Sequence, residues 1–252
     1  MTNIFSFLGE DIVNFFTKFQ NDFYLNFIKN ARWQYLVNGL GVTLKVTLFA
    51  VIIGIVLGFL VAIIRSTHDK AGTMTPFLKF VLNVLNAICN IYLTVIRGTP
   101  VLVQLLIIYF VIFASVRIDK SFVAIIAFGV NSGAYVAEIV RGGIMSIDQG
   151  QFEAGRSLGF NFAQTMWYII IPQTFKNVLP ALGNEFIVLL KETSVAGYIA
   201  LEDLTKGGDI IRSQTFSALM PLLAVAAIYL TMVIILSNLQ KLLERRLRSG
   251  EK

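Results

Sequence analysis

Apolar positions run through this chain in long unbroken stretches. Residues 46–64, 98–116, 121–137 and 213–240 carry no charged side chain. Residues 177–201 are also apolar, but Glu185, Lys191 and Glu192 interrupt them. A helix needs roughly 20 apolar residues to cross the hydrocarbon of a bilayer. There every backbone N–H and C=O must be satisfied inside the helix itself. The pattern predicts five spans, over about 44–64, 92–116, 121–141, 178–200 and 214–240. The fold class expected is an all-α integral membrane protein with five transmembrane helices.

Two further stretches follow a helical period. Residues 80–96 are uncharged, with Asn83, Asn86 and Asn90 on one face and Arg97-Gly98-Thr99-Pro100 after them. They form either a short span of their own, or one long helix or a lying helix leading into a span, bent at Pro100, since an interior proline removes a backbone donor and kinks the axis. The asparagine face favours the bent helix. In residues 1–34, Leu8, Ile12, Phe15 or Phe16, Phe19, Phe23 and Phe27 recur at spacings of three and four, with Trp33 and Tyr35 following. That stripe predicts an amphipathic helix lying in membrane lipid at the interface, or packed on the protein's own surface.

Charge then orients the spans. With five of them, Arg65, Lys70, Lys79, Arg141, Arg156, Lys176 and the basic tail (Lys241, Arg245, Arg246, Arg248, Lys252) fall on one side. Lys18, Lys29, Arg32, Arg117, Lys120, Lys206 and Arg212 fall on the other. The positive-inside rule places the richer side in the cytoplasm. The C-terminus and the 141–176 loop are therefore expected inside, and the N-terminus outside. The net charge of +6 is accounted for by this topology, so no nucleic-acid partner is called for.

Composition narrows the chemistry. Only 14% of residues are charged, against about 25% in soluble domains, as expected for a membrane protein. Cys89 is the single cysteine, which excludes an internal disulfide and a multi-cysteine metal site. His68, the single histidine, stands beside Asp69 and Lys70 in a polar connector. No GxxxxGK[ST], HExxH or GxSxG motif occurs. The chain is thus expected to have no catalytic residue, no metal and no cofactor of its own.

One cytoplasmic stretch stands apart: QFEAGRSLGFNFAQTMWYIIIPQ, residues 151–173. Residues 151–158 read as a short helix, and Gly159 sits where a left-handed C-terminal residue is usual. Asn161 with Gln164 has capping-box spacing and starts a second helix, which Pro172 ends or bends. Ala154 and Gly155 offer a flat patch, while Phe152, Leu158 and Phe160 offer apolar knobs. Such a helix suits a groove in another protein, or it merely connects two spans.

The stretch resembles the EAA loop of bacterial ABC importer permeases. Glu153-Ala154-Gly155, Gly159, Ile169 and Ile171-Pro172 follow that spacing throughout, with Gly155 in place of alanine and Ile171 in place of leucine. RGTPVLVQLLIIYF (97–110), NSGAYVAEIVRGGI (131–144) and LLKETSVAGYIALEDL (189–204) are similar to segments of the polar amino acid uptake subfamily. The likeness covers roughly residues 35–245. It implies five spans per subunit and assembly with a second permease copy or a homologous permease. It also implies an extracytoplasmic amino acid-binding protein, and a coupling helix between spans 3 and 4 docked on a cytoplasmic ABC ATPase subunit. That subunit would bind the ATP and Mg. The coupling residues implied are Phe152, Glu153, Ala154, Gly155, Arg156, Leu158 and Gly159, within a loop over 146–173.

Polar residues inside spans face a pathway or a partner. Gln104, Asn131, Ser132 and Tyr135 line a cavity or bond between helices. Glu138 and Arg141, three apart, share a helix face and pair. Glu185 is a candidate acceptor for a substrate ammonium and Lys191 a donor for its carboxylate, unless Lys191 snorkels to the interface. The function expected is the transmembrane subunit of an ATP-driven importer for a polar amino acid in the bacterial cytoplasmic membrane. The alternatives are a channel-type subunit and a membrane scaffold, both without energy coupling.

Overall fold

The structure is a computed structural model and describes residues 14, 16–69 and 75–249. From residue 33 onward the described residues hold nine α-helices: α1 Trp33–Asp69, α2 Pro76–Gly98, α3 Val101–Ile107, α4 Lys120–Met145, α5 Gln149–Ser157, α6 Phe162–Thr165, α7 Ile171–Glu192, α8 Leu204–Thr215 and α9 Leu219–Ser249. No strand occurs among the described residues. Among the described residues, four helices are long and apolar enough to span a membrane: α1, α2, α4 and Leu219–Arg246 of α9. The protein is a multi-pass membrane protein. α7 falls outside that group because Lys176, Glu185, Lys191 and Glu192 interrupt it.

The chain divides into two compact units. The first takes the described residues up to Thr43 together with Ser194–Met232. Its core is Phe27, Leu36, Leu204, Ile211 and Val225. Asp203 opens α8 by accepting hydrogen bonds from the Thr205 and Lys206 N–H groups at 3.2 and 3.0 Å. Burial nevertheless pushes its carboxyl up to about 6. Of the N-terminal stripe, Phe27 is buried, whereas Phe16, Phe19 and Phe23 are exposed. Leu8, Ile12 and Phe15 lie outside the described residues. Asn26 accepts from Thr215 Oγ1 at 2.8 Å, and Arg32 donates to Gln214 and to Leu25 O. The segment is thus fastened to α8 by polar contacts and Phe27, and its phenylalanine ridge points away.

The second unit holds Leu44–Thr193 and the described residues from Val233. α4 is its axis. Ala124, Ala127, Gly129, Ser132, Gly133, Ala134, Ala137 and Gly143 are all buried in it. Small residues let helix backbones approach closely where lipid supplies no hydrophobic drive. α1 lies against this face, with Gly54 at Ser132 and Gly58 at Val136, and α7 packs on α4 through Val178 and Leu182.

The bend at Pro100 is a full break. Thr99 and Pro100 are extended, and α2 and α3 are separate helices. Apolar length at the helix ends also differs from the expected spans, with α2 starting at Pro76 rather than near residue 92. Pro172 neither ends nor breaks its helix. A wide turn at Met166–Ile170, in which the Ile171 N–H donates to Met166 O five residues back, absorbs the ring, and α7 continues directly. Such one-turn bulges let a helix carry a residue that its regular ladder cannot.

Candidate functional site

The 146–173 loop is a helical hairpin built as its residues dictate. Asp148 caps α5 through the Gly150 N–H at 2.6 Å. Gly159, at φ +83°, closes the elbow, with Phe160 N–H bonded to Gly155 O at 3.0 Å. A side chain there would strain the left-handed backbone. Asn161 and Gln164 then form the capping box, each side chain accepting from the other residue's N–H at 2.9 Å.

The two faces of α5 do different things. Phe152 is buried with Ile144, Ile147, Met166 and Ile170. Gly155 is buried as well: a Cβ at this position would meet Thr165 Cγ2 at 2.6 Å. These two residues seat the hairpin on the ends of α4 and α7, so neither is a knob or patch presented outward. Glu153, Ala154, Arg156 and Leu158 are the exposed set. Phe160, exposed at the elbow, tilts against Tyr168 at 6.2 Å between ring centroids.

The intramembrane polar residues form two separate contacts and one cluster. Pro100 has no N–H, which leaves Ile96 O, four residues back, without its helical donor. Gln104 Nε2 supplies it at 2.7 Å and also donates to Thr99 O and Thr99 Oγ1 at 3.1 and 2.8 Å. Its Oε1 accepts from Asn131 Nδ2 of α4 at 2.9 Å. Gln104 therefore repairs the helix break and ties it to α4. Ser132 Oγ donates to Glu185 Oε1 at 2.8 Å and joins α4 to α7 in a second contact.

The cluster surrounds Glu138. Arg65 Nη1 reaches Glu138 Oε1 at 2.6 Å, and Arg97 Nη1 stands 3.6 Å from the same oxygen. The Arg97 guanidinium lies over the Tyr135 ring, 5.9 Å from its centroid. The expected Glu138–Arg141 pair does not form. Arg141 turns to Asp69 at 2.8 Å, because α1 brings the longer-range partners of both residues to α4. Lys191 is not joined to Glu185: it is exposed in the last turn of α7, while Glu185 is buried against Ser132. In the sequence Arg97 stands out only as the first residue of Arg97-Gly98-Thr99-Pro100. Its signal was the charge beside Gly98-Thr99-Pro100, a break at which side chains take over backbone contacts. No group of three or more metal-binding side chains occurs among the described residues.

Residues 79–249 match the family described as binding-protein-dependent transport system inner membrane component. The chain belongs to that family. The permease is 36% identical over 219 residues to the arginine transport system permease protein ArtQ of Bacillus subtilis, covering 86% of this chain and 94% of that one. It is also 36% identical over 216 residues to the glutamine transport system permease protein GlnP of Escherichia coli K12, covering 84% and 93%. Among solved structures, an amino acid ABC transporter crystallised with histidines superposes at a TM-score of 0.75. The two share 41% identity, over 87% of the permease and 98% of that chain. The inward-facing MetNI methionine ABC transporter, at 20% identity, shares the fold at a TM-score of 0.70, over 85% and 97%. The permease is accordingly an ABC transporter permease for amino acid transport.

Proposed function

We propose that the permease is the transmembrane subunit of an ATP-driven importer for a polar amino acid, coupled to a separate ATPase through α5. It crosses the bacterial cytoplasmic membrane five times, with α2 and α3 together forming the second span and α7 the fourth. Its N-terminus lies outside and its C-terminus in the cytoplasm. Basic residues crowd the connectors and the tail assigned to the inner side. The phenylalanine ridge of the N-terminal segment rests in the outer lipid interface.

The observation that carries the coupling role is the two-faced build of α5. Phe152 and Gly155 lock it to the spans, while Glu153, Ala154, Arg156 and Leu158 stand free for a partner. A helix that transmits force must be rigid behind and open in front. Gly159 fixes the elbow between the two. Partners follow from this role: a cytoplasmic ATPase that binds ATP and Mg, an extracytoplasmic binding protein, and a second permease copy or a homologous permease. Relatives are named for arginine and glutamine transport, which supports a polar amino acid as cargo. Gln104, Asn131, Ser132, Tyr135, Glu138 and Glu185 sit along its route, with Lys191 at one end.

The test is reconstitution of the permease with candidate ATPases and binding proteins in proteoliposomes, followed by a screen of amino acids. The expected result is uptake that requires ATP and hydrolysis that the cargo stimulates. Passive flux without ATP would contradict the importer reading in favour of a channel.

A further inference from the structure

Arg97 holds a charge that nothing in the described structure fully answers. It lies one residue before the open backbone of Gly98, at which a Cβ would meet nothing within 4 Å. Its ring neighbour Tyr135 falls in the middle of α4, so the guanidinium sits alongside the body of a membrane-length helix rather than at its end. A cation at such a place is costly and needs a partner. Glu138 is a poor one. Arg65 already bonds Glu138 Oε1 at 2.6 Å, and Arg97 stays 3.6 Å away without a hydrogen bond to it. Two guanidiniums thus share one carboxylate, which leaves the cluster one positive charge in excess. Arg97 is also the more open of the two, at 45% side-chain exposure against 18% for Arg65.

We infer that Arg97 receives the α-carboxylate of the transported amino acid, held over Tyr135 at the break between α2 and α3. This rests on the amino acid importer reading above and adds a substrate-binding residue to it. The chemistry follows from the fork. A planar guanidinium presents paired N–H donors that match the two oxygens of a carboxylate. The Tyr135 ring keeps that plane in place without consuming a donor. Arg65 keeps Glu138 occupied, so the carboxylate of the cargo meets an arginine whose own ion pair is shared, at 3.6 Å and without a hydrogen bond. One negative charge neutralises the excess. The break also matters mechanically. Arg97 is in the last turn of α2, and Gln104 secures the first turns of α3 to Asn131. A ligand on Arg97 therefore touches the broken element on its α2 side, next to the Ile96 carbonyl that Gln104 answers.

The experiment has two arms. In the first, wild-type permease with its ATPase and binding protein is screened with the twenty standard amino acids for ATP-driven uptake. In the second, the amino acid taken up best is used as the probe on the detergent-purified permease–ATPase complex without the binding protein. Its binding is compared with that of its α-carboxamide. Wild type is expected to bind the acid about 10- to 100-fold more tightly than the amide, the worth of one charged hydrogen-bond pair. Arg97→Gln is expected to bring the ratio close to one by weakening the acid alone, and Arg97→Lys to keep part of it. Equal binding of acid and amide by wild type overturns the inference without recourse to any variant. So does a loss in Arg97→Gln that is equal for both probes, which marks a structural or interface role for Arg97. Absence of ATP-driven uptake for all twenty amino acids instead refutes the importer reading, and this inference with it.

Discussion

At the scale of single residues, Gln104 shows how one side chain makes a broken span tolerable. Pro100 orphans the Ile96 carbonyl, and the Gln104 amide answers it while its oxygen holds Asn131. Each contact lies where an unmet polar group costs about 1–3 kcal/mol. Gln104→Met keeps the length and removes both contacts, so it should lower stability by about that amount. Asn131→Leu should cost less on its own. In a double-mutant cycle the pair should be non-additive, since both variants break the same bond. Thermal unfolding of the purified permease checks this, and simple additivity would dissolve the link. The break itself was legible in Arg97-Gly98-Thr99-Pro100, because proline chemistry is local. Its repair was not, because nothing in the spacing of Gln104 and Asn131 says that they meet across helices. The same limit explains Glu138. Helical spacing offered Arg141, but α1 delivered Arg65 instead.

At the scale of elements, local chemistry was the reliable guide. The Asn161–Gln164 capping box and the left-handed Gly159 elbow are both where their residue types place them. What the pattern of α5 hid was its orientation. Phe152 and Gly155 look like docking features in isolation, yet packing against Ile144, Met166 and Thr165 claims them first. Pro172 shows the converse, since a wide turn upstream overrides its usual effect. The start of α8 gives a pH prediction. Burial raises Asp203 from 3.8 to about 6, so the folded state binds more protons than the unfolded chain between those values. Stability from this group is then greatest below about pH 4 and falls as pH rises through 6, by about 3 kcal/mol. Asp203→Asn retains a capping oxygen and removes the charge. Unfolding of wild type and variant should therefore coincide near pH 4 and diverge towards pH 7, with the variant the more stable. Parallel pH profiles would show that the Asp203 carboxyl is not held in this way.

At the scale of the whole molecule, long apolar helices made the membrane class plain from sequence, because a helix of that length satisfies its own backbone within lipid. The number of spans was less plain. Charged residues in α7 and the break after α2 blur the hydropathy on which such a count depends. In the function proposed above, the route from sequence to function runs through α5, which would join a soluble motor to helices in lipid. The measurement that tests this most directly compares wild type, Ala154→Trp and Gly159→Val at matched expression, for ATPase co-purification and for ATP-driven amino acid uptake. Ala154 is exposed and a Gly159 side chain meets no neighbour, so the spans should stay folded and inserted in both variants. The predicted result is weakened ATPase association, or hydrolysis that no longer drives uptake, in each variant. Normal association and normal uptake in both would contradict the coupling role and reduce the hairpin to a connector.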